Sequence, residues 1–168
     1  MSSGGTKAEV GGQREASGVL GLDHVGLSVP DLDEAVDFFV RRFGASVLFR
    51  LDPVVPGRPS GTERLGVSPD ARFTLAMLQL GRGRLELLQW WSERSPGALP
   101  EADEPGGTHV AIEVADVARC LDALCLAEEV EVVGEPVTFG GGLTPGLTNA
   151  FVRAPWGALI ELVNWTDV

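Results

Sequence analysis

The sequence predicts an α+β fold made of two β-α-β-β-β repeats. Three observations carry that expectation. A half-buried strand, a Pro-Asp break and an amphipathic helix run from Leu22 to Phe43. The same design returns 85 positions later: His24-Val-Gly-Leu-Ser-Val-Pro-Asp-Leu becomes His109-Val-Ala-Ile-Glu-Val-Ala-Asp-Val. The ends of the halves match as well, Leu85-Glu-Leu-Leu-Gln-Trp90 aligning with Ile160-Glu-Leu-Val-Asn-Trp165 at an offset of 75. Internal self-similarity of this kind means a repeated supersecondary unit that cannot bury its apolar face alone. The offset shrinks because the first half has ten more residues between its His and its Glu, assigned to the 52–70 loop.

The first strand alternates, with Val25, Leu27 and Val29 on one face and His24, Gly26 and Ser28 on the other. Pro30 stops it. Asp31 is a good N-cap, with Glu34 three residues on, and Leu32, Ala35, Val36, Phe39, Val40 and Phe43 form one helical stripe. Arg41 and Arg42 suit the C-terminal dipole, and Gly44 suits the position beyond the helix end. Residues 45–51 are expected as a strand. The prolines at 53, 56, 59 and 69 make 52–70 a long covering loop. Residues 71–80 and 84–90 are expected as a hairpin across Gly81-Arg82-Gly83. Residues 92–106 are polar and rich in Pro and Gly, a linker between repeats 20–91 and 107–166. The second repeat then gives a strand at 108–114 and a helix capped by Asp116 with the stripe Val117, Cys120, Leu121, Leu124 and Cys125. A strand at 129–137, a Gly-rich loop at 139–148 and a hairpin across Pro155-Trp156-Gly157 complete it.

One domain, 20–168, accounts for a chain of 168 residues, with residues 1–19 read as a disordered tail rather than a signal peptide. The net charge of −11 argues against a nucleic-acid or anionic membrane surface, because phosphates would be repelled. No apolar run approaches a membrane span. The sole lysine, Lys7, is in the tail, so an anchoring cation must be arginine. Cys120 and Cys125 are expected as small buried hydrophobes in a reduced, cytoplasmic protein.

Four side chains stand out against this frame. Glu86 lies among Leu85, Leu87 and Leu88, and Glu161 among Ile160, Leu162 and Val163. A carboxylate in so apolar a strand is costly unless it is paired, metal-bound or turned to solvent. His24 and His109 are the only histidines, and they occupy equivalent strands. If the repeats pack about a pseudo-twofold axis, two imidazoles and two carboxylates converge. That mixed N/O set suits one divalent ion: Zn, Ni, Co, Mn or Fe. The plainer alternatives are a packed or surface histidine, a solvated glutamate and a repurposed site.

With HVGLSVPDLDEAVDFF opening one unit, HVAIEVADV the other, and APWGALIELV closing the chain, residues 20–166 resemble the vicinal oxygen chelate superfamily. That group includes glyoxalase I, methylmalonyl-CoA epimerase, type I extradiol dioxygenases and bleomycin resistance proteins. The resemblance implies a curved mixed eight-stranded sheet around a metal cleft, with His24, Glu86, His109 and Glu161 as ligands. It implies a homodimer and a small α-oxygenated carbonyl substrate, turned over by a metal-dependent lyase, isomerase or epimerase. A metal-stabilised enolate or enediolate is the shared chemistry, with Glu161 or Glu86 as base. By position Glu63 resembles the loop region that supplies a base in epimerases; the plainer reading is a solvated loop charge. Trp90 and Trp165 share strand parity with the glutamates and are candidates to wall the cleft, and Arg153 is a candidate for holding a substrate carboxylate; the plainer readings are core packing for the tryptophans and a surface position for the arginine. A ligand-sequestering resistance protein and a methylmalonyl-CoA epimerase-like enzyme are the alternatives. Glu86 stands where methylmalonyl-CoA epimerases usually have Gln. The lack of tyrosine and of a third histidine disfavours an extradiol dioxygenase.

Overall fold

A computed structural model describes residues 20–54, 65–68, 70–93 and 99–166. The tail, Glu63 and most of the 52–70 loop lie outside the described residues. The elements run β1 (Val25–Val29), α1 (Leu32–Phe43), β2 (Ser46–Val54), β3 (Arg72–Leu80) and β4 (Gly83–Trp91) in the first half. The second half gives β5 (His109–Glu113), α2 (Val117–Cys125), β6 (Glu131–Thr138), β7 (Leu147–Arg153) and β8 (Leu159–Trp165).

The repeat is exact in topology. The strands form two four-stranded mixed sheets, ordered β1-β4-β3-β2 and β5-β8-β7-β6. In each, the first strand pairs in parallel with the fourth and the rest of the sheet is antiparallel. The eight strands are thus divided between two sheets rather than joined in one. β1 and β5 are edge strands, each with one side unpaired.

Local chemistry explains the helices. The Asp31 carboxylate accepts the Glu34 N–H at 2.9 Å, and Asp116 does the same for Arg119 at 3.0 Å, each satisfying a donor of the first turn. α1 stops at Gly44, whose φ of 67° is the left-handed cap geometry that favours glycine. On α2 the stripe holds at Val117, Leu121 and Leu124, which are buried. Cys125 is a correction: it is exposed, whereas Cys120 is half-buried. The helix ends at Leu126, and Cys125 sits in its last turn beyond the buried stripe.

Both halves share one core. Leu78, Leu85 and Leu87 of the first sheet join Ala150, Ile160 and Leu162 of the second in a single buried cluster, with α1 and α2 contributing Phe39 and Leu124. Phe38 and Phe39 meet Trp156, in the β7–β8 turn, at ring-centroid distances of 5.3 and 6.1 Å. Arg42 at the end of α1 pairs with Glu129 before β6, and Arg82 with Glu113. Strand alternation then assigns the faces. Val25, Leu27, Val29, Leu85 and Leu87 point to the core, so His24, Gly26, Ser28 and Glu86 occupy the other face. The second sheet repeats this, with Val110, Ile112, Ile160 and Leu162 inward and His109, Ala111 and Glu161 outward.

Candidate functional site

His24 immediately precedes β1, and Glu86 lies on the adjacent β4, opposite Gly26. The imidazole Nε2 is 3.6 Å from Glu86 Oε2. His109 opens β5, and its Nε2 is 3.2 Å from Oε2 of Glu161 on β8. Bonds of about 2.0–2.2 Å to a shared ion hold neighbouring ligand atoms about 3.0–3.5 Å apart. Each pair therefore has close to the separation that two donors to one divalent ion require.

The surroundings support that fit. Asp23 Oδ1 lies 2.7 Å from His24 Nδ1, and Arg84 holds the other carboxylate oxygen at 2.8 Å. Asp23 fixes the ring and leaves Nε2 toward Glu86, the arrangement by which a second carboxylate orients a metal-ligating histidine. The hydrogen bond to His24, aided by the Arg84 charge, holds the Asp23 carboxyl below its usual range. In the second half Asn149 on β7 donates its Nδ2–H to Glu161 Oε1 at 2.7 Å, which leaves Oε2 facing His109. The Phe151 ring stands edge-on to His109 at 6.0 Å. A Cβ at Gly26 would meet Glu86 Oε2 at 3.5 Å, an ordinary contact, so alanine fits there but a larger side chain would press on the carboxylate.

The four predicted ligands form two pairs and not one cluster. Among the described residues no group of three or more His, Cys, Asp or Glu is gathered as a metal site. A cavity of about 690 Å³ opens between the halves beside His24. Glu86, His109 and Glu161 do not line it. Its arginines, Arg42, Arg82 and Arg84, are each taken up by Glu129, Glu113 and Asp23. Its charge is therefore spent within the protein.

Trp90 shares the face of Glu86 and packs against Phe73 with centroids 4.8 Å apart. Four residues along a strand is about 13 Å, so it walls the far end of that face. Trp165 lies four residues beyond Glu161 and is 52% exposed. Arg153 is on the Glu161 face, but Glu101 and Glu131 approach its guanidinium at 3.4 and 3.7 Å. Asp23, Asn149 and Gly26 are additions to the sequence-derived set. A lone amide in the apolar run Asn-Ala-Phe-Val was the available signal for Asn149. Asp23 has no counterpart in the second half, where Thr108 precedes His109, so the repeat could not flag it.

Two β-α-β-β-β units, each presenting one His and one Glu on the face of its sheet away from the core, define a class of small duplicated α+β proteins. A family model for the Glyoxalase/Bleomycin resistance protein/Dioxygenase superfamily matches residues 23–145, and the chain belongs to that superfamily. Superfamily members typically bind a divalent metal. The chain is 36% identical over 152 residues to a 2-epi-5-epi-valiolone epimerase from Actinomyces sp., covering 90% of this chain and 82% of that protein. It is 27% identical to a mitochondrial methylmalonyl-CoA epimerase from Dictyostelium discoideum, covering 94% of this chain and 86% of that one. A glyoxalase family protein from Bacillus cereus shares the fold, with a TM-score of 0.72, 24% identity, and coverage of 89% and 96%. The chain is an enzyme of isomerase type, as both named relatives are.

Proposed function

We propose that this chain is a metal-dependent epimerase of a small α-oxygenated carbonyl compound, with His24, Glu86, His109 and Glu161 as the ligands of one divalent ion. The observation that carries it is the duplicated His–Glu pair. At 3.2 Å the His109–Glu161 pair lies within the separation of two ligands to one ion, and at 3.6 Å the His24–Glu86 pair lies close to it. Epimerase relatives support the reaction class. 2-Epi-5-epi-valiolone, in the name of the Actinomyces relative, is the first compound to test, and methylmalonyl-CoA the second.

The chemistry follows from the donor set. A divalent ion held by His24, Glu86, His109 and Glu161 would supply Lewis-acid stabilisation of negative charge on a substrate oxygen. The histidines would serve as its nitrogen ligands. Epimerisation needs a proton removed from one side of that carbon and one returned to the other, and Glu161 and Glu86 are carboxylates able to hold it. Asn149 steadies Glu161 through Oε1, and Asp23 steadies His24 through Nδ1. Trp90, Phe73, Leu75 and Leu88 give the first sheet an apolar wall on the Glu86 face. Arg153 provides a cation on the Glu161 face for an anionic substrate group, once Glu101 and Glu131 yield. Free Cys120 and Cys125 accord with a reducing, cytoplasmic setting.

The test is solvent exchange. Protein loaded with Zn, Co, Mn or Ni is incubated with each compound in deuterium oxide and followed by NMR. Deuterium entering at the carbon beside the carbonyl, abolished by EDTA, is the expected result. Tight ligand binding that is unaffected by EDTA and gives no exchange would establish a sequestering protein instead.

A further inference from the structure

We infer that Glu101, on the linker between the halves, is a specificity-determining residue: it occupies the Arg153 guanidinium that a substrate carboxylate would need, and so turns the site toward uncharged cyclic hydroxyketones. This rests on the epimerase reading above and adds which substrate charge the site accepts.

Strand register places Arg153 beside the proposed reaction site. His109 pairs with Leu159, Leu159 with Arg153 and Arg153 with Glu131, one row across β5, β8, β7 and β6. Residues in such a row share a face, and neighbouring strands lie about 4.8 Å apart. Arg153 is therefore two strands from His109, on the Glu161 face. A cavity of about 110 Å³ has both His109 and Arg153 in its lining, together with Leu99, Pro100 and Gly106 of the linker. The linker thus borders the space through which a substrate group would meet Arg153.

The linker is fastened in that position. The Glu104 N–H donates to the Glu101 carbonyl at 3.0 Å, and the Gly107 N–H to the Glu104 carbonyl at 2.8 Å. The Glu104 carboxylate accepts the Glu101 N–H at 2.9 Å. A Cβ on Gly107 would lie 2.1 Å from the Glu101 carbonyl oxygen, so a side chain there could not be fitted without moving that backbone. Leu99 lies against the β7–β8 turn, its Cδ1 3.8 Å from where a Cβ of Gly157 would be. These contacts deliver the Glu101 carboxylate to Arg153 Nη2 at 3.4 Å, while Glu131 approaches Nε at 3.7 Å.

Charge then decides what the face accepts. Two carboxylates already share one guanidinium, so a third, from a substrate, meets net negative charge instead of a free partner. Arg84, the arginine on the Glu86 face, is held in turn by Asp23 at 2.8 Å. Specificity is built by opposing the wrong ligand as well as by attracting the right one. An uncharged hydroxyketone has no need of Arg153 and is not repelled by Glu101. The two compounds to be tested above differ in this respect: 2-epi-5-epi-valiolone is uncharged, and methylmalonyl-CoA carries a carboxylate.

Calorimetry on Zn(II)-loaded protein tests the inference with two ligands of one chemical class. 2-Epi-5-epi-valiolone is an uncharged cyclic hydroxyketone, and 3-dehydroquinate is a cyclic hydroxyketone with a carboxylate. The readout is the ratio of their Kd values. Glu101→Gln should shift that ratio about fivefold toward 3-dehydroquinate, the upper end for releasing an exposed ion pair, and adding Glu131→Gln should shift it further. Arg153→Gln in the Glu101→Gln background should cancel the shift. A ratio unchanged by Glu101→Gln, or a shift that survives without Arg153, overturns the inference; so does binding of neither compound by any variant. Deuterium exchange in the same samples tests the reading beneath it. The shift without exchange into either compound overturns the epimerase reading and leaves Glu101 as the determinant of ligand charge. Exchange without the shift overturns the role of Glu101 alone. Circular dichroism of each variant, expected to match wild type because the Glu101 side chain is 66% exposed and that of Glu131 70%, separates a change of selectivity from a change of fold.

Discussion

Replacing Asn149 with alanine removes one hydrogen bond and tests whether Glu161 is a positioned ligand. The Asn149 amide donates to Glu161 Oε1 at 2.7 Å, and the Glu161 side chain is only 13% exposed. A hydrogen bond to a charged acceptor contributes about 1.5–3 kcal/mol. Every 1.4 kcal/mol is tenfold in an equilibrium constant. Full loss of positioning therefore weakens metal binding by about 10- to 150-fold, in keeping with the 10–100-fold typical of groups that orient metal ligands. Water can enter the space alanine leaves, which favours the lower half of that range. The assay is competition with a chromophoric chelator, comparing apparent Kd of wild type and Asn149→Ala for Zn(II) or Co(II). The metal-free variant should melt as one cooperative transition, so a folded protein is being compared. An unchanged Kd, within about twofold, would refute the idea that Asn149 holds Glu161 for a metal.

Three further outcomes follow from other parts of the molecule. Gly26→Val should fold yet lose metal affinity, because its branches would extend past a Cβ already 3.5 Å from Glu86 Oε2; Gly26→Ala, matching Ala111 of the second repeat, should bind nearly as wild type in the same chelator titration. Phe39→Ala should cost about 3–5 kcal/mol in denaturant unfolding, since Phe39 is 1% exposed and touches Phe38, Phe43 and Trp156. Glu129→Gln should lower the melting temperature slightly at pH 7 and hardly at all in acid. The hydrogen bond from Arg42 holds the Glu129 carboxyl below its ordinary 4.5. The stability it contributes is therefore present above that value and lost as pH falls through the depressed one, so the gap between the two melting curves should close in that window.

The repeat was the legible part of this protein. His24 and His109 flagged the two edge strands, and Glu86 and Glu161 the strands beside them, because each stands out in an apolar run and has a twin. Asp31, Asp116 and Gly44 gave the helix limits, since capping is local chemistry. What the sequence could not give is the relation between halves. Alternation says that His24 and Val25 face opposite ways, but not that both sheets turn their Val25-type faces to one core. A pseudo-twofold in the sequence does not fix how the two units pack, and the four side chains expected to converge stand as two His–Glu pairs among the described residues. Cys125 failed for a related reason: helical spacing put it on the buried stripe, but it sits in the last turn of α2, beyond Leu124, and is exposed. Asn149 escaped notice because its counterpart in the first sheet is apolar: Leu75 pairs with Leu88 as Asn149 pairs with Val163, so the repeat gave it no twin, and only the β7–β8 register brings its amide to Glu161.

The central claim is that this fold holds a divalent ion through its repeated His–Glu pairs. Metal analysis of protein purified without chelator tests it most directly, comparing wild type with His109→Ala. About one divalent ion per chain in wild type, and its loss in the variant, is the predicted result. Full metal content in folded His109→Ala, or none in wild type after loading, would contradict it.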